Sequence, residues 1–388
     1  MSARQRETTS AVMPLSCEPG HDGPPVAERS PICLAEALAL AQACDWRAAD
    51  LSPLLPRLTG WAMQLTAPDR VTWQLGLRQL WARHGWRLSR DHQAALFDLV
   101  CAWDDWPLAI EVGEALDHRA RLPDDAIAQL ARAYWHMGDG KAALNRLYPY
   151  LVVAPGDGRA FGLYAEIHNW IAYCHALGLA DQAGLQNDAL RLEPLGEHHL
   201  HAFAWQYQDP AIARLCCLPG FDSAQAWLDW LRETYGYGDQ VLFAVLHRQW
   251  GFVGVVSLIL HRGAGFFYYW IGPDFQGRGI GPAAVSLMLQ LAQSVYGMHA
   301  CYAKAFADNY PSRRGLRKLG FAPMAIEPAA PHAHERFYRW GEATPPSRAI
   351  RELGLLLQDM GSEMHLPETM HLLRMDGTKH QETGYVEQ

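Results

Sequence analysis

The stretch FFYYWIGPDFQGRGIGPAAVSLMLQLA, from Phe266 to Ala292, decides the fold of the second half of the chain. An aromatic run suited to a strand ends at Ile271. A short Gly-Pro turn follows, then Gln276-Gly277-Arg278-Gly279-Ile280-Gly281, then an apolar segment with helical spacing. Pro282 falls near the first helical position, where its missing N–H leaves no bond unmade. Strand, glycine loop and helix N-terminus together make an anion site. The glycines let the backbone come close to a phosphate. The helix end adds unpaired N–H groups and partial positive charge, and Arg278 adds a full charge. A dinucleotide fold would need G-x-G-x-x-G, but after Gly279 the next glycine comes two positions on, although Asp308 does stand at the end of the following strand. The G-x-x-x-x-G-K-[ST] phosphate loop is absent.

Outward from this stretch, strand-like and helix-like runs alternate. Val241–His247, Phe252–Leu260, Phe266–Ile271 and His299–Phe306 read as strands. Ala224–Tyr235, Pro282–Tyr296 and Pro311–Leu319 read as helices, giving an α/β domain. Downstream come Asp308-Asn309-Tyr310-Pro311-Ser312, a helix closing in Leu319-Gly320-Phe321, and a last strand at His334–Trp340. Upstream, Trp205, Asp209 and Pro210 lie before a helix pair.

The Gln276, Gly279 and Gly281 pattern resembles the acetyl-coenzyme A signature of the GNAT acetyltransferase superfamily, and the order of parts over residues 195–342 resembles its ribosomal-protein alanine acetyltransferase branch. The resemblance implies a central mixed, splayed β-sheet flanked by helices and an acyl-CoA co-substrate, acetyl-CoA or a longer one. It implies that Gln276, Gly277, Arg278, Gly279, Ile280 and Gly281 hold the diphosphate. The pantetheine arm would run along Trp270–Pro273, with Ile271 and Pro273 among its contacts, and Asn309 would bond it. Pro282 removes one phosphate donor, a small departure. The implied activity is transfer of an acyl group to a primary amine.

The catalytic groups are less well marked. Where many family members carry a tyrosine acid, this chain has Leu316. Ser312, three residues after Asn309, is the candidate acid or thiolate donor; it could equally cap its helix. The strand before the loop, FFYYW, offers no carboxylate base. Tyr268 and Tyr269 point to opposite faces, so one of them can face the cleft; water-mediated proton removal stays open. His198, His199 and His201 cluster upstream, and His332 and His334 follow later, but no Cys or carboxylate spacing completes a zinc set, so no metal is expected. Trp227 and Trp230 read as core.

Residues 31–194 read as helical throughout, with a degenerate repeat. Pro123–Pro155 carries Tyr134, Gly138, Ala142 and Pro155 in an order that resembles a tetratricopeptide repeat. There Gly138 tightens the turn, Ala142 lets the helices close up and Pro155 stops the second one. Gly178, Ala183, Ala189, Leu190 and Pro194 read as a second copy. Ala102–Leu116 and Ala43–Leu55 read as degenerate second helices. The expectation is therefore an all-α helical-hairpin domain before the α/β domain, with a disordered tail at 1–30. A C-terminal helix at Ser347–Met360 and a polar tail complete residues 343–388. A solenoid of this kind offers a concave surface for a peptide or protein acceptor; a small amine is the alternative acceptor, and an acyl-CoA sensor without turnover the alternative role.

Composition sets the outer limits. The 388 residues suit two or three domains. A net charge of −8 gives no support to a nucleic-acid partner and is compatible with a cationic one. Eight scattered cysteines without a Cys-x-x-Cys suggest reduced thiols. No apolar run approaches the ~18–20 residues of a membrane span, and the N-terminus lacks a signal-peptide core. A cytoplasmic protein is expected.

Overall fold

The structure, a computed structural model, describes residues 67–119, 122–179, 185–216, 218–326 and 334–360. The expected tails and the Ala43–Leu55 helix lie outside these residues.

Six helices come first: α1 (Ala67–His84), α2 (Arg90–Ala102), α3 (Trp106–Arg119), α4 (Asp124–His136), α5 (Gly140–Val153) and α6 (Gly158–Ala176). Each of α3 to α6 packs on its predecessor, and α4 also meets α6, as stacked hairpins do. Local chemistry sets the ends. The Ser89 side chain caps α2, Asp139 caps α5 through the Ala142 N–H at 2.9 Å, and Asp157 caps α6. The α4–α5 turn passes through Gly138 at φ +76°, the left-handed conformation expected of it. Helix α5 ends at Val153, two residues before Pro155. The small buried residue of the hairpin is Ala143, fully enclosed, rather than Ala142, which is half-buried.

The α/β half is a seven-stranded sheet, order β1-β2-β3-β4-β5-β7-β6. Its elements are β1 (Leu190–Pro194), α7 (Leu200–Gln206), α8 (Pro210–Cys216), α9 (Ala224–Gly236), β2 (Gln240–His247), β3 (Gly251–His261), β4 (Ala264–Ile271), α10 (Ile280–Tyr296), β5 (Ala300–Phe306), α11 (Tyr310–Lys318), β6 (Ala322–Pro323), β7 (Glu335–Gly341) and α12 (Pro346–Asp359). The sheet alternates as strands must. On β4, Phe267 and Ile271 join the core under α10, while Trp270 joins the core under α7–α9. Trp227 is 1% exposed in that second core, as expected, and Trp230 packs on it half-buried.

Two boundaries move. Ala189–Pro194 does not continue a helical repeat. Leu190 and Leu192 enter the sheet core and Arg191 and Glu193 face the other way, so period two overrides the helical reading, and the sheet begins before the expected boundary at 194/195. Helix α12 is likewise no appendage. Leu353, Leu356 and Leu357 are buried against Phe266, Tyr302 and Phe337, which makes α12 a covering layer of the sheet.

The helices lie against β1 and the turn after it. Glu193, 2% exposed, receives His198 Nε2 at 3.1 Å and His199 Nε2 at 2.8 Å. Trp135 of α4 stacks on His198 at 4.4 Å, and Trp170 of α6 meets its edge at 4.9 Å. Arg191 Nη1 donates to the Met137 carbonyl, and Tyr296 of α10 donates to the Leu177 carbonyl at 3.1 Å. A Cβ at Gly138 would stand 2.7 Å from Arg191 Cδ, so this glycine serves the seam as well as the turn. Among the described residues no helix is long and apolar enough to cross a membrane.

Candidate functional site

Strands β4 and β5 are parallel neighbours over three positions only, Ala264↔Ala300, Gly265↔Cys301 and Phe266↔Tyr302. Beyond them both strands continue, to Ile271 and Phe306, without pairing. A gap therefore opens along Phe267–Ile271 toward the C-terminal end of β4. Its edge can be assigned. A Cβ on Gly254 of β3 would collide with the Trp270 carbonyl, so Trp270 turns its backbone toward β3. The Tyr269 carbonyl instead accepts from Cys216 Sγ at 3.5 Å, and the Ile271 carbonyl from Gln276 Nε2 at 2.9 Å. Neither donor lies on β3, so these two residues present backbone to the gap.

The gap runs into the glycine loop. After Ile271 a short 3-10 turn, Pro273–Phe275, leads to Gln276. Gly277 and Gly279 take φ +73° and +78°, and nothing lies within 4 Å of the place a Cβ would occupy on either. The loop is exposed on that side, unplugged by protein atoms. Gly279 precedes α10, and no side chain caps the helix. Its first N–H groups and its dipole are left for an anion, worth about 0.3–1 kcal/mol each at an exposed helix end. Helix α10 begins at Ile280, so Pro282 falls at its third residue, still in the turn whose N–H groups have no helical partner.

Three candidates converge under this helix end. Tyr269 passes so close to Gly281 that a Cβ there would stand 2.5 Å from its ring. Its phenol lies beside the Ser312 side chain. Burial raises the Tyr269 pKa, with Ser312 opposing, so the phenol keeps its proton at neutral pH. Asn309, not Ser312, caps α11: its Oδ1 accepts from the Ser312 N–H at 3.2 Å. The Ser312 hydroxyl is thereby left to face Tyr269. Leu316 is buried in the core, consistent with its lacking a chemical role.

Tyr268 stands on the opposite face, as alternation requires. It lies beside Ser257, whose hydroxyl takes Gln240 Nε2 at 2.8 Å. Burial pushes the Tyr268 phenol up as well, which makes it a donor and not a base. Across the gap on this face, β5 and β7 place Lys304 Nζ 3.0 Å from Glu335 Oε1, with Glu335 5% exposed. The sequence reading missed this carboxylate because it searched β4, whereas Glu335 comes from a strand two places across the sheet. It also missed Cys216, whose proximity to β4 no local pattern announces.

Glu193, His198 and His199 bring three ligand atoms within 4.8 Å of one another, a spacing that would suit a metal. The hydrogen bonding does not suit one. The Gly196 N–H donates to His199 Nδ1 at 3.0 Å, so neutral His199 carries its proton on Nε2, the nitrogen facing Glu193. That approach is too bent for a good hydrogen bond. Burial alone would raise the Glu193 carboxyl, but the His198 hydrogen bond and the close His199 ring outweigh it and hold it at about 2. Burial lowers His198 to about 4, against the pull of Glu193. The cluster is a neutral-imidazole cradle for a buried carboxylate.

The family model for the acetyltransferase (GNAT) domain matches residues 189–322, which begin one residue before β1. Among curated proteins none matches the chain. Solved structures similar to it include a ribosomal-protein-S5-alanine acetyltransferase from Vibrio fischeri, 17% identical, covering 41% of this chain and 98% of that one at a TM-score of 0.36. A spermidine N-acetyltransferase from Vibrio cholerae in complex with CoA and spermine is 18% identical over 39% of this chain and 94% of its own, TM-score 0.35. The microcin C7 self-immunity acetyltransferase, in complex with acetyl-CoA and AMP, is 18% identical over 40% and 94%, TM-score 0.36.

Proposed function

From the premise that residues 189–322 are a GNAT acetyltransferase domain, we propose that the protein transfers an acetyl or longer acyl group from coenzyme A to a primary amine. The observation that carries this reading is the unpaired edge of β4 running into an open glycine loop at an uncapped helix N-terminus. In this reading Gln276, Gly277, Arg278, Gly279, Ile280 and Gly281 hold the diphosphate. The backbone of Tyr269 and Ile271 pairs with the pantetheine arm as a missing strand would, with Pro273 and Asn309 beside it.

The acceptor approaches from the Tyr268 face. Its neutral nitrogen attacks the thioester carbon, the C–N bond forms and the C–S bond breaks. The proton shed by the amine ends on the coenzyme thiol. A main-chain N–H on the open edge polarises the carbonyl. The Ser312–Tyr269 pair donates to the departing thiolate, a task that suits two hydroxyls that keep their protons. The acceptor is a peptide or protein amine, or a small amine.

Calorimetry with acetyl-CoA tests the donor half. The expected result is binding by the native chain and about 100-fold weaker binding by Gly279→Glu, which sets a carboxylate against the diphosphate. Unchanged binding in that variant defeats the reading. A second reading, an acyl-CoA sensor without turnover, is favoured by the absence of a carboxylate on β4. Labelled acetyl-CoA incubated with a peptide and polyamine panel separates the two, since any transferred label rules out a pure sensor.

A further inference from the structure

The helices bring a charge to the mouth of the donor cleft. Trp250 lies on the turn between β2 and β3, half-buried, with its ring 5.9 Å from that of Phe275 just ahead of the glycine loop. Two guanidinium groups lie over this indole. One is Arg278 of the loop, at 5.8 Å; the other is Arg78 of α1, at 5.4 Å. His247, at the end of β2, completes the group.

These groups are under-compensated. Arg78 donates one amino group to the buried carboxylate of Asp105, but its Nε is buried without a hydrogen-bond partner. Among the described residues neither Arg278 nor His247 has a carboxylate within ion-pair distance. Asp274 is near enough to interact with Arg278, whose charge opposes the rise that burial gives its pKa, but it makes no ion pair with it. Burial lowers His247, and Arg78 and Arg278 lower it further, so this imidazole stays neutral beside the two guanidinium groups. Beside them the seam is a small cleft, partly open to solvent, that Gln74, Asp104, Trp106, Trp205, Gln206 and Asp274 help to line.

Two guanidinium groups over one aromatic ring, with a neutral imidazole near them and a diphosphate loop alongside, suit a second phosphate of the same ligand. We propose that Arg78 of the helical half, with Arg278 and His247, binds the 3′-phosphate of coenzyme A, so that the helices take part in donor recognition. The proposal rests on the acyltransferase reading, and adds a donor contact made by a residue far outside the GNAT domain. Arg78 reaches the site because Asp105 holds one end of its guanidinium while the Trp250 ring supports its face.

The test compares coenzyme A with 3′-dephospho-coenzyme A in calorimetry on the full chain. The native protein is expected to prefer coenzyme A by about tenfold or more, as charge-assisted phosphate contacts do. Arg78→Gln is expected to bring that preference close to unity while leaving the affinity for the dephospho form unchanged. Arg78→Lys should keep part of it. Arg278→Gln, which breaks no ion pair, should weaken both coenzymes through the shared diphosphate and also lower the preference for coenzyme A, even if Arg78→Gln folds poorly. Equal affinities for both coenzymes in the native protein overturn the proposal and leave the acyltransferase reading standing. So does an Arg78→Lys or Arg78→Gln protein that discriminates as the native one does. If neither coenzyme binds the native chain, the acyltransferase reading falls and this one with it.

Discussion

The chain treats two polar regions in opposite ways. At the seam between the helices and β1, it buries a carboxylate and surrounds it with imidazoles, and Trp135 and Trp170 cover one of these. At the gap between β4 and β5, it leaves a strand edge without a neighbour and a helix end without a cap. Unpaired backbone is costly when buried, so the open edge persists only where water or a ligand completes it. The buried carboxylate persists because protein groups already complete it. The first region holds the molecule together; the second is prepared for something the chain does not contain.

The sharpest way to break this contrast is at Gly138. Alanine there must adopt φ near +76° and set its methyl against Arg191 and Glu193. The left-handed backbone costs roughly 1–2 kcal/mol and the overpacking a similar amount, so about 2–4 kcal/mol of stability should be lost in chemical denaturation. Coenzyme affinity should fall far less; if it falls in step, seam and gap are one unit.

Ser312→Ala probes the open region. Tyr269 loses its hydroxyl neighbour while Asn309 still caps α11 through the backbone N–H of residue 312. The turnover number is expected to drop about 10- to 100-fold with KM for the donor nearly unchanged. An unaltered turnover number removes Ser312 from the chemistry.

Acidification is the mildest probe and acts on the seam. Burial depresses the pKa of His198 to about 4, and that of His136 well below its usual value. The unfolded chain therefore takes up protons first, near pH 6.5, and stability declines as pH falls from there toward the folded values. Glu193, held at about 2, contributes stability above its unfolded value and loses it only below about pH 4.5. Between pH 7 and 5 the histidines thus act alone, costing on the order of 1–2 kcal/mol each. Tryptophan fluorescence should show Trp135 and Trp170 relaxing in that window, and a midpoint below pH 4 would assign the effect to Glu193 instead.

Much of the open region was legible in the sequence because its signals are local. Gly279 must be glycine for its backbone, Gln276 sits five residues from the carbonyl it bonds, and Asn309 three from the N–H it caps. The strand FFYYW announced its own alternation. The seam was illegible for the opposite reason. Trp135, Glu193 and His198 meet only after six helices have stacked, and β1 is five residues long with charges at two of them, too short to outweigh the helical texture before it. The Lys304–Glu335 pair, 31 residues apart, likewise waits on sheet order. The stacked hairpins keep the Tyr134–Gly138–Pro155 spacing, whereas the second copy dissolved into a strand.

The cradle around Glu193 also dictates where the polypeptide can be cut. Shears placed upstream of Leu190 would spare every strand yet strip the indoles from His198 and bare an acid that titrates near 2 because of its surroundings. Cutting at 195 would take away the edge strand itself, and stopping at 342 would remove Leu353 and its neighbours and uncover Phe266, Tyr302 and Phe337. A trimmed catalytic fragment is thus a poor reagent for judging the enzyme. Inactivity in such a piece would report on its wounds and not on its chemistry.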